Sequence, residues 1–347
     1  MCTVIQKTFD WKKKHILVTG GASFIGSHLV DRLVTLDVAH IRIIDDLSTG
    51  KLQNIQAHID AGRVEFIQGD LLDDGLARAA VMGMDMVFHL AAIHGGRGYI
   101  DLHQAQCAQN LILDGMIIRE AHQAGVEKFI FASSGCVYPT DLQSDVTKGV
   151  YLGEDMVGPR YNADGMYGWA KLMTEMTLKA YYESYGFKSA SCRFFTAYGE
   201  RCLESHAIMA MIGRAFLKQV PFEIWGDGTQ IRNWTYVSDI VEGLILAAEK
   251  IEDGTAVNLG TEEPVRVLEA AELVLEITRH NAEIKLRRDM PTGPLNRVAR
   301  NDLAYKLLGW KPKYKFIDGL SKTVDWYFKT HQQDEVEQDF ERKLIER

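Results

Sequence analysis

Five side chains in this chain have the types and the spacing to move protons on a carbohydrate-like alcohol: Ser134, Cys136, Tyr167, Lys171 and His206. Tyr167 and Lys171 stand four apart in Tyr-Gly-Trp-Ala-Lys, so on a helix they share a face. A lysine ammonium beside a phenol favours the phenolate and is expected to lower the tyrosine pKa from its usual ~10. A tyrosine tuned in this way can take a proton from a hydroxyl at neutral pH. Ser134 and Cys136 sit together in Ser-Ser-Gly-Cys-Val-Tyr-Pro, and His206 stands just ahead of an apolar helical stretch. A thiol of pKa ~8.5 and an imidazole of ~6.5 form a second acid/base pair, more than a simple alcohol oxidation needs. The competing readings are a cysteine that fills apolar space and a histidine that is merely a satisfied polar residue.

These groups need a hydride acceptor and a scaffold, and both are legible upstream. Ile16-Leu17-Val18-Thr19 reads as a buried strand, Gly20-Gly21-Ala22-Ser23-Phe24-Ile25-Gly26 as a tight turn, and the residues from Ser27 to about Leu36 as an amphipathic helix. Strand, glycine turn and helix are the context a dinucleotide fingerprint requires, although Ser23 replaces the middle glycine. Gly20, Ser23, Phe24, Ile25 and Gly26 would then hold a pyrophosphate on the helix N-terminus. The next strand ends at Asp45-Asp46, and an acid at that distance suits ribose hydroxyls and repels a 2′-phosphate. Asp45 therefore points to NAD rather than NADP.

Further strands end at Asp70-Leu71, at Leu90-Ala91-Ala92 and at Ser133-Ser134. Small or polar residues at the carboxyl ends of parallel strands line the ligand crevice. Helices are expected over residues 103–124 and 163–185. This alternation predicts an α/β fold: a doubly wound parallel Rossmann sheet over 14–190, with 232–260 returning to it. A smaller mixed α/β substrate-binding lobe is expected from 191–231 and 261–330. The residues before His15 read as a short extension, and the tail 331–347 reads as a polar, solvent-exposed helix.

Composition narrows the class. A length of 347 residues with 46% hydrophobic and 25% charged side chains is that of an ordinary globular enzyme with room for two lobes. A net charge of −8 argues against a nucleic-acid or membrane binder, so an anionic substrate needs local arginines. Five cysteines without regular spacing fit a reduced compartment, and no metal-ligand cluster is visible. Neither a signal peptide nor a membrane span is legible, and the expected location is cytoplasmic.

Together, Gly20 to Gly26, Asp45, His89-Leu90-Ala91-Ala92, Ser134, Tyr167, Lys171 and Arg193-Phe194-Phe195 resemble an extended short-chain dehydrogenase/reductase acting on nucleotide sugars. Within that family the likeness is to the GDP-mannose 3,5-epimerases and the GDP-fucose synthases. Gly95-Gly96-Arg97-Gly98 is similar to a glycine-rich sugar loop, and the Ser134–Cys136 segment to a shared serine–cysteine motif. Glu204-Ser205-His206 resembles an acid-bearing segment, and Trp225-Gly226-Asp227-Gly228 through Arg232 a diphosphate-binding stretch. The resemblance implies Tyr167, Lys171 and Phe194 at the cofactor, and Gly96, Arg97, Thr196, Arg232 and Arg297 at the substrate. Relatives usually carry an asparagine in the segment that is Phe195-Thr196-Ala197-Tyr198-Gly199 here, so Thr196 or Ala197 does without its amide.

The implied activity is transient C4 oxidation of a nucleotide sugar, GDP-mannose-like, by bound NAD, followed by inversion at C3 and C5 with Cys136 as base and His206 as acid. A UDP-glucose type 4-epimerase, or an epimerase-reductase of the GDP-fucose synthase type, is the alternative. Gly135-Cys136 lacks the acidic pair of a 4,6-dehydratase, and intact Tyr167 and Lys171 speak against a non-catalytic sensor. The resemblance also implies a homodimer through the helices 103–124 and 163–185, with apolar rows at Leu111, Met116 and Ile117 and at Leu172, Met176 and Leu178.

Overall fold

Short β-branched and aromatic runs, each ending in a small or acidic residue, supply the central sheet. Its strands are β1 (His15–Thr19), β2 (His40–Asp45), β3 (Glu65–Gln68), β4 (Met86–His89), β5 (Lys128–Ser134), β6 (Lys188–Phe194) and the late strand Asp253–Leu259. The computed structural model describes residues 9–158 and 161–346. Among these, the seven strands run in the order Asp253–Leu259, β6, β5, β4, β1, β2, β3. Every pairing is parallel. Order reverses between β1 and β4, which opens a crevice at the carboxyl ends of those strands. Helices bury both faces, with Ile16, Val18 and Ile43 in one core and Leu17, Ile44 and Phe129 in the other.

The second lobe is built from short paired strands. Phe222–Trp225 pairs with Ile284–Arg287, and Thr196–Tyr198 with Trp234–Tyr236. Ile231–Arg232 lies between Val265–Arg266 and Asn296–Arg297, in a register that sets Arg232 beside Arg297. The helix Ala207–Phe216 begins immediately after His206 and joins the core of this lobe.

Several elements differ from the sequence expectation. The first helix begins at Phe24 rather than Ser27. The helix expected over 103–124 is two, Gln104–Ala108 and Asn110–Gln123. Buried Asn110 causes the break: its amide takes the carbonyls of Cys107 and Ile93, and its oxygen accepts the Ile93 N–H. Of the expected short extension, residues 1–8 lie outside the described residues; from Phe9 the chain packs on the sheet domain, where Trp11 is buried against Phe88 and donates to Glu249 at 2.8 Å. The tail forms the helix Gln333–Glu346, which is not solvated all round. Val336 and Phe340 are buried in the second lobe, each stabilising the docked helix by about 1.5–3 kcal/mol. Their spacing of four puts both on one face, a stripe that the charged remainder of the tail hides.

Candidate active site

Every residue assigned from the sequence to cofactor or substrate borders one cavity of about 490 Å³ at the carboxyl edge of the sheet. One end is formed by the turn after β1. Gly26 packs so closely on the Gly20 carbonyl that any side chain there would collide with it. Ser23 is the N-cap of the helix Phe24–Thr35 but makes no side-chain cap bond, so the first-turn N–H groups stay available to an anion. Leu90, Ala91 and Ala92 beyond β4 and Asp70 and Leu71 beyond β3 line the cavity as well.

Asp45 is buried at the end of β2 and braces the turn. One carboxylate oxygen accepts from the Ala22 N–H at 2.9 Å and the Ser23 hydroxyl at 3.2 Å, the other from the Leu47 N–H at 2.9 Å. Burial raises its pKa, against those donors. A fixed anion at this wall accepts ribose hydroxyls and repels a phosphate. NAD is accordingly expected to bind roughly 10-fold or more tighter than NADP, a difference of about 1.4 kcal/mol. Asp45→Ser should narrow the ratio of the two constants while weakening NAD itself, because the turn loses its acceptor. Direct titration with both cofactors measures this, and NADP binding as tightly as NAD in the wild type would refute it.

The middle of the cavity holds Ser134, Tyr167 and Lys171. Ser134 ends β5, where its hydroxyl oxygen accepts the Cys136 N–H at 3.1 Å, and it is hydrogen-bonded to Tyr167. The helix Gly165–Tyr185 carries Tyr167 and Lys171 and is locked to the sheet through Glu175. That carboxylate accepts from Arg193 of β6 at 2.7 and 2.9 Å and from Ser133 of β5 at 2.5 Å.

The electrostatics correct the sequence expectation here. The Lys171 ammonium stands 5.8 Å from the centre of the Tyr167 ring and 4.5 Å from that of Phe131. Burial pushes the Tyr167 pKa well above its ordinary value, with Cys136, Asp114 and Cys107 adding to the rise and the Ser134 hydrogen bond opposing it. Lys171 is also lowered by burial. Two groups on one helix face are neighbours, but desolvation outweighs their mutual effect once the site is dry.

NAD fits these residues. The Lys171 Nζ is buried, aimed into the cavity and without a hydrogen-bond partner among the described residues. Ribose hydroxyls would satisfy it, Asp45 would take the second ribose, and the first helical turn would take the diphosphate.

At the other end stand three arginines. Arg97 is not in a loop: it opens the helix Arg97–Leu102, pairs with Asp101 and donates to Asp164 at 2.8 Å. Arg297 donates to the same Asp164 oxygen at 2.8 Å, to Gln143 at 2.7 Å and to Cys136 Sγ at 3.2 Å. Burial lowers the Arg297 pKa, but Cys136 and Asp164 more than restore it. Among the described residues, Arg232 donates only to the carbonyls of Ile231 and Thr292, both at 2.8 Å. Burial and the neighbouring Arg297 and Arg97 push its pKa down to about 9. A guanidinium so placed is short of an anion.

Gly96 packs against the Ser205 carbonyl, where no side chain fits, and so brings the glycine-rich segment onto the residues carrying His206. The His206 ring lies 6.2 Å from His94, which lies 6.5 Å from Tyr167. His206 borders the cavity, and its enclosure pushes its pKa down to about 4. The protonated acid expected from the sequence is therefore a neutral imidazole at pH 7. Thr196 and Phe194 also border the cavity.

Sequence reasoning missed Asp164, which joins Arg97 to Arg297. It also missed Asp114, buried beneath Lys171. Asp114 had a signal, a lone acid inside the apolar run Leu111-Ile112-Leu113-Asp114-Gly115-Met116-Ile117-Ile118. Cys192 and Cys202 are buried elsewhere, their thiol pKa values raised by burial. Among the described residues no cluster of metal-ligating side chains occurs, and no helix is long and apolar enough to cross a membrane.

A family profile described as "NAD dependent epimerase/dehydratase family" matches residues 16–260. An uncharacterized UDP-glucose epimerase of Bacillus subtilis is 32% identical over 324 residues, 91% of this chain and 99% of the relative. The GDP-mannose 3,5-epimerase of Arabidopsis thaliana is 32% identical over 316 residues, covering 90% of this chain and 81% of that enzyme. Among solved structures, UDP-glucuronic acid 4-epimerase from Bacillus cereus, with UDP-glucuronic acid and NAD, superposes with a TM-score of 0.82 at 28% identity. That match covers 91% of this chain and 100% of the other.

Proposed function

The chain belongs to the NAD dependent epimerase/dehydratase family, and from that premise we propose that this NAD-dependent nucleotide-sugar epimerase acts as a 3,5-epimerase on a GDP-mannose-like substrate. The observation that carries the reading is Cys136. It borders the same cavity as His206, two residues from Ser134, with Arg297 donating to its sulfur at 3.2 Å. A 4-epimerase has no use for that arrangement.

Bound NAD supplies the acceptor and later the donor of the C4 hydride. Tyr167 takes the C4 hydroxyl proton, and Lys171 holds the ribose and stabilises the phenolate. Ser134 donates to the developing C4 carbonyl. A C4 ketone acidifies the hydrogens on C3 and C5. Cys136, with a permanent positive charge against it, removes one proton, and His206 returns one to the opposite face. His206 takes up that proton as the anionic diphosphate, drawn by Arg232, enters the same enclosed space and favours the imidazolium.

The second reading is a simple 4-epimerase, which the 4-epimerase structures of high similarity favour. It needs only Ser134, Tyr167 and Lys171. Incubating the NAD-loaded enzyme with a panel of nucleotide sugars in heavy water separates the two. Deuterium at C3 and C5 of a GDP-hexose supports the first reading. C4 inversion without deuterium uptake supports the second.

The same reading includes a homodimer. Of the apolar residues on the two long helices, Ile117, Leu172 and Leu178 are interior, so they cannot form an interface. Leu111, Ile112, Met173 and Met176 face outward at 41–58% exposure, a larger unpartnered patch than isolated surface residues explain. Sedimentation at micromolar concentration is expected to show a dimer, and Met173→Glu with Met176→Glu a monomer. A monomeric wild type would remove the idea.

A further inference from the structure

Beneath Lys171 runs a chain of buried polar groups that the reaction just described does not use. Asp114, on the helix Asn110–Gln123, and Lys171 are each 1% exposed, with Oδ2 and Nζ 4.0 Å apart. That separation makes an ion pair without a hydrogen bond. Other groups fix the carboxylate. Oδ1 meets His89 Nε2 at 2.9 Å, and Oδ2 accepts from the Thr174 hydroxyl at 2.9 Å. His89 Nδ1 lies 2.8 Å from the Thr19 hydroxyl, whose oxygen accepts the N–H groups of Leu90 and Ala91, both at 3.1 Å. Burial lowers the His89 pKa, so the ring is neutral. The chain then has one direction: Thr19 donates to Nδ1, and Nε2–H donates to Asp114. The carboxylate is locked by neutral donors and cannot turn to Lys171.

We propose that Asp114 is a positioning residue, the fixed countercharge that keeps Lys171 an ammonium in a dry site while leaving its donors to the cofactor ribose. This rests on the reading of Lys171 given above. A buried ammonium without a counter-ion sheds its proton. The other titratable groups facing it are Tyr167 on its own helix and His89 on β4; Cys107 on the helix Gln104–Ala108 and Cys136 after β5 act on Tyr167. Glu175, one turn along, is engaged by Arg193. Burial lowers the Lys171 pKa, and Asp114 is what raises it. Burial raises Asp114, but Lys171 and His89 hold it below the usual carboxylate value.

The test is the pH dependence of NAD affinity, measured by calorimetry from pH 6 to 10, with the rate of C4 oxidation followed alongside. In Asp114→Asn, affinity should fall away about one pH unit or more earlier than in the wild type. NAD binding at pH 9 is then weakened about 10-fold, and at pH 6 it is nearly unchanged. Should the asparagine variant not fold, Asp114→Ser takes its place with the same expectation. A folded neutral variant whose alkaline limb has not moved, or which loses affinity equally at every pH, overturns the proposal. Failure of both variants to fold assigns Asp114 to the core and overturns it too. A wild type that binds NAD but oxidises no nucleotide sugar defeats the functional reading instead, and the binding titration still decides the role of Asp114.

Discussion

Tyr167→Phe is expected to lower C4 oxidation by about 10²–10⁴-fold, the usual worth of one general base. Its two partners in the middle of the cavity cannot replace it. Ser134 is a neutral donor, and Lys171 is an acceptor only after losing the charge that its role requires. The ring itself packs inside the site, so removing one oxygen leaves the fold and NAD binding intact. The readout is 4-keto sugar trapped with borodeuteride, together with the pH profile. Burial raises the Tyr167 pKa, so the phenolate fraction, and with it the wild-type rate, should climb through the neutral range. The rise ends where Lys171 deprotonates, and the phenylalanine variant should show neither limb. Substantial 4-keto sugar from Tyr167→Phe would mean that another base takes the proton and that the site has been misread.

Cys136→Ala should separate the two halves of the chemistry. Exchange of solvent deuterium into C3 or C5 is expected to drop by about 10²–10⁴-fold, with C4 oxidation changed only a few-fold. The reason lies in placement. Cys136 is two residues beyond Ser134, with its sulfur held against Arg297 at 3.2 Å. Losing the sulfur leaves Arg297 its contacts with Asp164 and Gln143, so the arginine stays in position. His206→Asn should produce a similar loss on the reprotonation side, largest at low pH and shrinking as pH rises, because burial disfavours the imidazolium that the wild type must supply. Mass spectrometry of the product sugar measures both variants. Wild-type exchange in Cys136→Ala would make the sulfur a packing atom and leave a 4-epimerase.

Local chemistry was legible in the residues alone. The strand, turn and helix around Gly20 to Gly26, the acid at Asp45 and the helical pairing of Tyr167 with Lys171 depend on contacts a few residues apart, and chain geometry fixes those. The split helix at Asn110 and the buried stripe of Val336 and Phe340 were less visible, because one amide and two apolar residues in a polar tail act only against distant partners. Charge states lay entirely with the tertiary structure. Arg297 and Cys136 are 161 residues apart in sequence, and nothing local sets them side by side. Arg97, Arg232 and Arg297 look alike as letters, yet the two that share Asp164 are compensated and Arg232 is not. His206 reads as an acid near neutral pH, and enclosure takes it down to about 4. Desolvation and pairing depend on what the whole chain brings to one cavity. The sequence alone therefore determined which groups could react, and only the fold decided which of them carry charge.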